Sequence, residues 1–250
     1  AAALLDERWQ REQWEALSQE LDVKVVAPGT SDWLPTPHGL TLARALAASD
    51  VLPSMDGAAV LELGGGVGNH TVLLHRKNPS RLAVTEISEA RLDTTRRTLA
   101  ANDMLDDRVK LLVADWLNVK AAGDTHAYDF LVTNPPFCRS GMRNRRYFID
   151  ELILNSWKVL KPGGHLVFIQ SSMANLSKTM DRLKENGFDA RVAHSAKFPW
   201  RKYYFEDETF LKECDAFEGA YEVGEDGNRI ETLYVVCAQL LPWTPPAFAH

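Results

Sequence analysis

Val60-Leu61-Glu62-Leu63-Gly64-Gly65-Gly66-Val67-Gly68 ends an apolar run in one acid and three alternate glycines, at 64, 66 and 68. A short apolar run closed by glycines reads as a buried strand, and glycines let the chain turn sharply and bring its backbone close to a ligand. From Ala58 onward, short apolar runs alternate with helical patterns. Strands are predicted at 58–63, 81–85, 109–113, 127–133 and 163–170, and helices at 69–75, 88–102, 145–159 and 174–186. Two further strands are predicted at 187–194 and 231–239. The alternation implies an α/β fold with a doubly wound, mostly parallel seven-stranded sheet and helices on both faces. In such sheets ligands bind beyond the carboxyl ends of the strands, which is where residues 64–68 fall.

Before this core, residues 1–55 form an appendage expected on the substrate side. Leu5, Trp9, Leu17 and Leu21 recur at helical spacing, so 3–20 reads as an amphipathic helix. Val23–Ala27 is a strand candidate, Trp33-Leu34-Pro35-Thr36-Pro37 a proline-stiffened loop, and Thr41–Ala48 a helix. The main domain is expected over 56–250, with an acidic, aromatic, irregular insertion at about 195–230. The 250 residues carry 28 Lys and Arg against 34 Asp and Glu, a formal charge of −6. Residues 201–231 hold ten acids and four bases, which is the whole of that excess. Such a balance lacks the basic footprint of a phosphate-backbone binder, which makes nucleic acid the less favoured partner. No apolar run approaches the ~20 residues that span a bilayer. Three distant cysteines suit reduced thiols in a cytoplasmic protein, and no spacing of Cys or His suggests a metal.

A second stretch fixes the chemistry. Asp129-Phe130-Leu131-Val132-Thr133-Asn134-Pro135-Pro136-Phe137 is another apolar run, ending in Asn-Pro-Pro-Phe. Together and in this order the two stretches resemble the class I S-adenosylmethionine-dependent methyltransferases, which share a Rossmann-like sheet. Within them they are similar to the branch that carries an NPPF or NPPY tetrad, the glutamine-N5 and adenine-N6 methyltransferases. A nicotinamide-dependent oxidoreductase would use the same location. However, its G-x-G-x-x-G pattern needs glycine at position 69, which is Asn69. S-adenosylmethionine has no phosphate for a helix N-terminus, and its cationic methionine end favours a nearby carboxylate, which Glu62 can supply. Glu86 follows Gly64 by 22 residues at the end of the second strand, where a carboxylate can accept both ribose hydroxyls. Ile87 would then lie against the adenine. The resemblance implies that Asp115 receives the adenine amino group, with Trp116 flanking the ring. Leu63 and Asn69 are outer contacts, with Gly64, Gly66 and Gly68 beneath the cofactor, and Asn134 is expected to border the cofactor as well as the acceptor.

In the family this resemblance points to, the tetrad holds an amino group whose nitrogen belongs to a planar, delocalised system. The lone pair of such a nitrogen is shared with the π-system, so it is a poor nucleophile. Two acceptors, the Asn134 side-chain oxygen and the Pro135 carbonyl, would orient it, and the prolines preorganise them. Pro136 and Phe137 would contact the substrate, Phe137 by stacking. Arg139 and Arg143 follow as candidate anion ligands, in a run that also includes Arg145 and Arg146. The aromatics Trp200, Tyr203 and Tyr204, with the acids Glu206 and Glu208, suggest a lid facing a cation, one of the two acids serving as base. Arginines and carboxylates together suit a small amino-acid-like substrate with a guanidine or amide. Glutamine in a protein is the alternative acceptor, followed by adenine in RNA or DNA.

Overall fold

The computed structural model of this chain describes residues 7–26, 36–115, 125–136 and 146–242. In chain order the elements are α1 (Glu7–Glu20), α2 (Pro37–Ala47), β1 (Ala59–Leu63), α3 (Asn69–Arg76), β2 (Arg81–Glu86), α4 (Glu89–Ala101), β3 (Val109–Val113) and β4 (Tyr128–Thr133). They continue with α5 (Tyr147–Asn155), β5 (Leu160–Ser171), α6 (Leu176–Glu185), β6 (Phe188–Pro199), α7 (Glu208–Asp215), β7 (Glu222–Val223) and β8 (Arg229–Leu240). One sheet runs β3-β2-β1-β4-β5-β8-β6, and the two-residue β7 pairs with β8 beside it. The pairs from β3 through to β5 are parallel; β8 is antiparallel to β5, β6 and β7. All seven predicted strands are present.

Alternation along β1 explains why the sheet is sandwiched. Val60 belongs to a core shared with Trp14 and Leu17 of α1, Leu40 and Leu42 of α2, Val72 of α3 and Leu99 of α4. Its neighbours Leu61 and Leu63 face the opposite core, with Leu152 and Ile153 of α5 and Leu183 of α6. A period of two buried on both faces is the signature of a covered parallel sheet. Among the described residues, no helix is long and apolar enough to cross a membrane.

Three local expectations are corrected. Val23–Ala27 does not pair as a strand over its described part, 23–26. Its backbone is instead satisfied by α4 side chains: Lys24 N–H donates to Asn102 Oδ1 at 3.0 Å and Val26 N–H to Thr98 Oγ1 at 3.1 Å. Helix α2 starts at Pro37, inside the stretch read as a loop, because Thr36 caps it by accepting from Gly39 N–H at 3.2 Å. Proline at the first helical position loses no hydrogen bond. Within 195–230 the chain is ordered: β6 continues to Pro199, a 3₁₀ turn spans Lys202–Glu206, and Asp207 caps α7. These pieces share a small core of Met173, Trp200, Tyr204, Phe210, Cys214 and Ala220.

Candidate active site

The sheet's order reverses between β1 and β4, the neighbours that run outward in opposite directions along it. Leu63 is in register with Thr133, and the Thr133 hydroxyl donates to the Leu63 carbonyl at 2.9 Å. Gly64 and Asn134 are therefore the next residues on adjacent parallel strands, which lie about 4.8 Å apart. That is the crevice where an open α/β sheet binds its ligand.

The glycines of the turn after β1 are held by the neighbouring strand and helix. Gly64 and Gly65 N–H both donate to the Thr85 carbonyl at 3.0 Å. Gly66 N–H donates to Glu86 Oε1 at 2.8 Å, and the Thr95 hydroxyl donates to the Gly66 carbonyl at 2.9 Å. The three alternate glycines all have positive φ (75°, 56° and 84°). Gly65 was not singled out by spacing, and its constraint is steric: an added Cβ would sit 2.5 Å from Val84 Cγ1 and 3.3 Å from Thr95 Oγ1. Gly65→Ala should therefore overpack the β2–α4 junction at a cost of roughly 1–3 kcal/mol. Gly66→Ala meets nothing within 4 Å and bears mainly the left-handed backbone cost, about 1–2 kcal/mol. A thermal melt should show Gly65→Ala below Gly66→Ala; the reverse order would refute the steric assignment.

A cleft of about 550 Å³, solvent-open mouth included, is lined by Gly64, Gly65, Gly66, Val67, Asn69, His70 and Asn134 on one side. Trp14 of α1 and Thr36, Gly39 and Leu40 at the start of α2 close the other. His70 Nε2 donates to the Gly39 carbonyl at 2.9 Å, and burial lowers the ring's pKa. A Cβ on Gly39 would lie 3.9 Å from both Asn134 Nδ2 and His70 Cε1, so the bare backbone of α2 forms the wall facing the asparagine. Trp14, Thr36, Gly39 and His70 were not anticipated. The Thr-Pro pair at 36–37 was the legible signal for that helix start.

The remaining candidates divide by position. Glu62 is buried beneath the turn, and its Oε2 accepts from the Thr71 hydroxyl at 2.6 Å. Burial, with a smaller contribution from the Glu86 charge, pushes its carboxyl up to about 8 despite that bond. Leu63 is a core side chain, and Gly68 packs against Thr95 and Thr98 of α4; neither lines the cleft. Glu86 caps the turn through Gly66 and also accepts from Ile87 N–H at 3.0 Å. Ile87 and Val113, at the paired ends of β2 and β3, are 66% and 54% exposed. They leave two apolar side chains in water, with Asp115 also exposed. Pro135 is buried and Pro136 exposed. Trp116, Phe137, Arg139, Arg143 and Arg145 lie outside the described residues. Arg146 is buried and structural, bonded to Thr179, Asp150 and the carbonyls of Ala174 and Asn175.

The aromatic lid is not an open one. Trp200 and Tyr204 are fully buried, stacked edge-on 5.7 Å apart, and Arg229 covers Trp200 at 4.9 Å. Glu206 and Glu208 are exposed. The physical reason is that five aromatics within eight residues bury more apolar area against one another than a lid open to solvent would.

A glycine turn at the switch point, a carboxylate beneath it, a second carboxylate at the end of β2 and Asn134 beside the turn define a class I S-adenosylmethionine-dependent methyltransferase. These residues fit that cofactor: the buried carboxyl answers a cation, and the turn's amides are already engaged by Thr85 and Glu86 rather than free for a pyrophosphate. The chain belongs to the methyltransferase small domain family, whose model matches residues 43–198. It is 27% identical over 161 residues to the ribosomal RNA small subunit methyltransferase C of Enterobacter sp. (strain 638) and of Escherichia coli O7:K1. That overlap is 64% of this chain and 44% of each relative, so the chain spans less than half their length. Among solved structures, a methyltransferase from Pyrococcus furiosus superposes with a TM-score of 0.58 at 17% identity, covering 91% of this chain and 96% of that one. The E. cuniculi Mtq2–Trm112 complex, responsible for methylation of the eRF1 translation termination factor, gives 0.51 at 18% identity, covering 83% and 97%. Both are likenesses of fold.

Proposed function

We propose that this chain transfers a methyl group from S-adenosylmethionine to the exocyclic amino nitrogen of a base in RNA. The observation that carries the reading is Asn134, which lines the same cleft as the glycine turn. When bound, the cofactor supplies an electrophilic methyl on a sulfonium, so no metal or covalent enzyme intermediate is required. The protein's part is positioning, worth up to several kcal/mol when acceptor geometry is fixed in advance. Asn134 Oδ1 and the Pro135 carbonyl accept the two N–H bonds of a planar amine, turning its lone pair toward the methyl. Glu86 receives the ribose hydroxyls, the Ile87–Val113 ledge carries the adenine, and Glu62 neutralises the ammonium of the methionine end.

An exocyclic amine on a base, a glutamine amide and a guanidine are all planar nitrogens, and the tetrad suits each. The relatives named as ribosomal RNA methyltransferases move RNA ahead of the small amino-acid-like acceptor and of protein glutamine. The acidity that argues against RNA is concentrated at 201–231, and part of it is internal, since Glu231 is fully buried. Trp14, Thr36 and Gly39, from the segment before the sheet, form the cleft wall opposite the glycine turn, shared by cofactor and acceptor. Incubation with methyl-labelled cofactor and, separately, total RNA, a glutamine-bearing termination factor and free arginine tests the reading. Label should appear in RNA and, after nuclease digestion, in an N-methylated base. Label confined to the protein or to arginine overturns it.

A further inference from the structure

The first turn of α2, which walls the cleft opposite the glycine turn, is gripped from both sides. His70 holds the Gly39 carbonyl from the cleft side. From the other, Arg201 donates from Nη2 to His38 Nδ1 at 2.9 Å and from Nη1 to the Tyr203 hydroxyl at 2.9 Å. Arg201 is 6% exposed, and its guanidinium lies 5.6 Å from the ring centres of both Tyr203 and Tyr204. The completely buried Glu231 acts on this charge through space, without a direct ion pair. Glu231 accepts from the Ser171 hydroxyl at 2.7 Å, and the Tyr204 hydroxyl lies 3.4 Å from its other oxygen.

Every member sits at one end of the sheet. Ser171 is the last residue of β5, Glu231 lies in the first turn of chain along antiparallel β8, and Arg201 follows the end of β6. His38 immediately precedes Gly39, whose bare backbone faces Asn134. Desolvating two opposite charges consumes most of what their attraction returns, so a buried pair is weak evidence for stability and is often replaceable by apolar residues. What Arg201 does supply is direction. The rigid guanidinium fork fixes two donors in one plane, and one of them points at an imidazole lone pair. Because an arginine only donates, His38 must present Nδ1 unprotonated, and burial together with the Arg201 charge holds that ring neutral.

We infer that Arg201 is a positioning residue for the cofactor cleft: held by the Tyr203 hydroxyl and the Tyr203 and Tyr204 rings, with the buried Glu231 charge behind them, it sets the α2 first turn through His38, and so sets the wall that Gly39 presents to the cofactor. This is how the segment after β6 reaches the site, in place of an aromatic lid. The inference rests on the cofactor cleft and not on the identity of the acceptor, so its test needs no methyl acceptor. Binding of S-adenosylhomocysteine by calorimetry and thermal unfolding are measured for R201M/E231M, R201K, H38Q and H38L. The double variant leaves no charge buried alone. It should melt within about 5 °C of the parent yet bind S-adenosylhomocysteine at least tenfold more weakly. H38Q keeps a neutral acceptor for Arg201 and should stay within threefold of the parent, whereas H38L should lose tenfold. R201K, with one donor head in place of the fork, should fall between. A folded double variant binding within twofold of the parent overturns the inference, as does equal affinity of H38Q and H38L. If the double variant does not fold, the histidine pair decides alone. Failure of labelled RNA to form would leave these affinities untouched, so the two readings fail separately.

Discussion

Asn134→Ala should abolish most methyl transfer while leaving the cofactor in place. The side chain lies in the cleft at the end of β4, and its neighbours on the strand are fixed by the Leu63–Thr133 register and the Thr133 hydroxyl bond. Removing the amide deletes one of two preorganised acceptors for the attacking amine without disturbing the glycine turn, which hangs on Thr85, Glu86 and Thr95. Loss of one such oriented group costs roughly 10²–10³ in kcat. S-adenosylhomocysteine affinity should shift by no more than about threefold, because the residues proposed for the ribose and adenine lie at the ends of β2 and β3. Asn134→Asp separates orientation from charge: it keeps an acceptor but leaves a half-buried carboxylate in the cleft, and should recover little. Single-turnover transfer by the alanine variant within threefold of the parent would exclude Asn134 from the chemistry.

The sheet was legible because it is written locally. Period-two apolar runs such as Val60–Leu63 and Phe130–Thr133 are buried on both faces, and that pattern has no other economical reading. The alternate glycines were legible for the same reason, since each sits at positive φ. Gly65 was not, because the atom that forbids a side chain there is Val84 Cγ1, nineteen positions away in sequence but adjacent across the sheet. Val23–Val26 looked like a strand by composition, yet a strand needs a neighbour with free backbone groups. The side chains of Thr98 and Asn102 were the partners on offer. The segment 195–230 was misread in a more instructive way. Its aromatics and acids were read as a lid facing a cation, but the aromatics form a core, and Glu231, counted with the acids just past it, is one of the most buried residues in the protein. Net charge over a window carries no information about which charges are paired inside it. The cleft wall opposite the glycine turn was hidden because Thr36-Pro37 reads equally as a turn or a helix start, and tertiary packing decides between them.

Glu62 should make the stability of the protein, and its affinity for cofactor, depend on pH in opposite directions. Its carboxyl stands near 8 in the folded protein against an ordinary 4.5, chiefly because it is buried. Between those values the native state holds a proton that the unfolded chain has released, so stability falls as pH rises through this window. Below 4.5 both states are protonated and the group is neutral in effect; above 8 the full penalty is present. At about 1.4 kcal/mol per pKa unit the penalty is of the order of 3–5 kcal/mol, a large share of a typical domain's 5–15. Urea unfolding of the ligand-free protein at pH 5.5 and pH 8.5 should show this loss, and Glu62→Gln, which cannot ionise, should flatten it. Cofactor reverses the sense. An ammonium brought near the turn stabilises the ionised carboxylate, so binding at pH 7 should expel most of one proton. Calorimetry in two buffers of different ionisation enthalpy reads that number directly. The difference between parent and Glu62→Gln should be about 0.8 proton, on the same linkage. No difference would mean that Glu62 is a buried structural acid held by Thr71 alone, and the positive end of the cofactor would then need another partner.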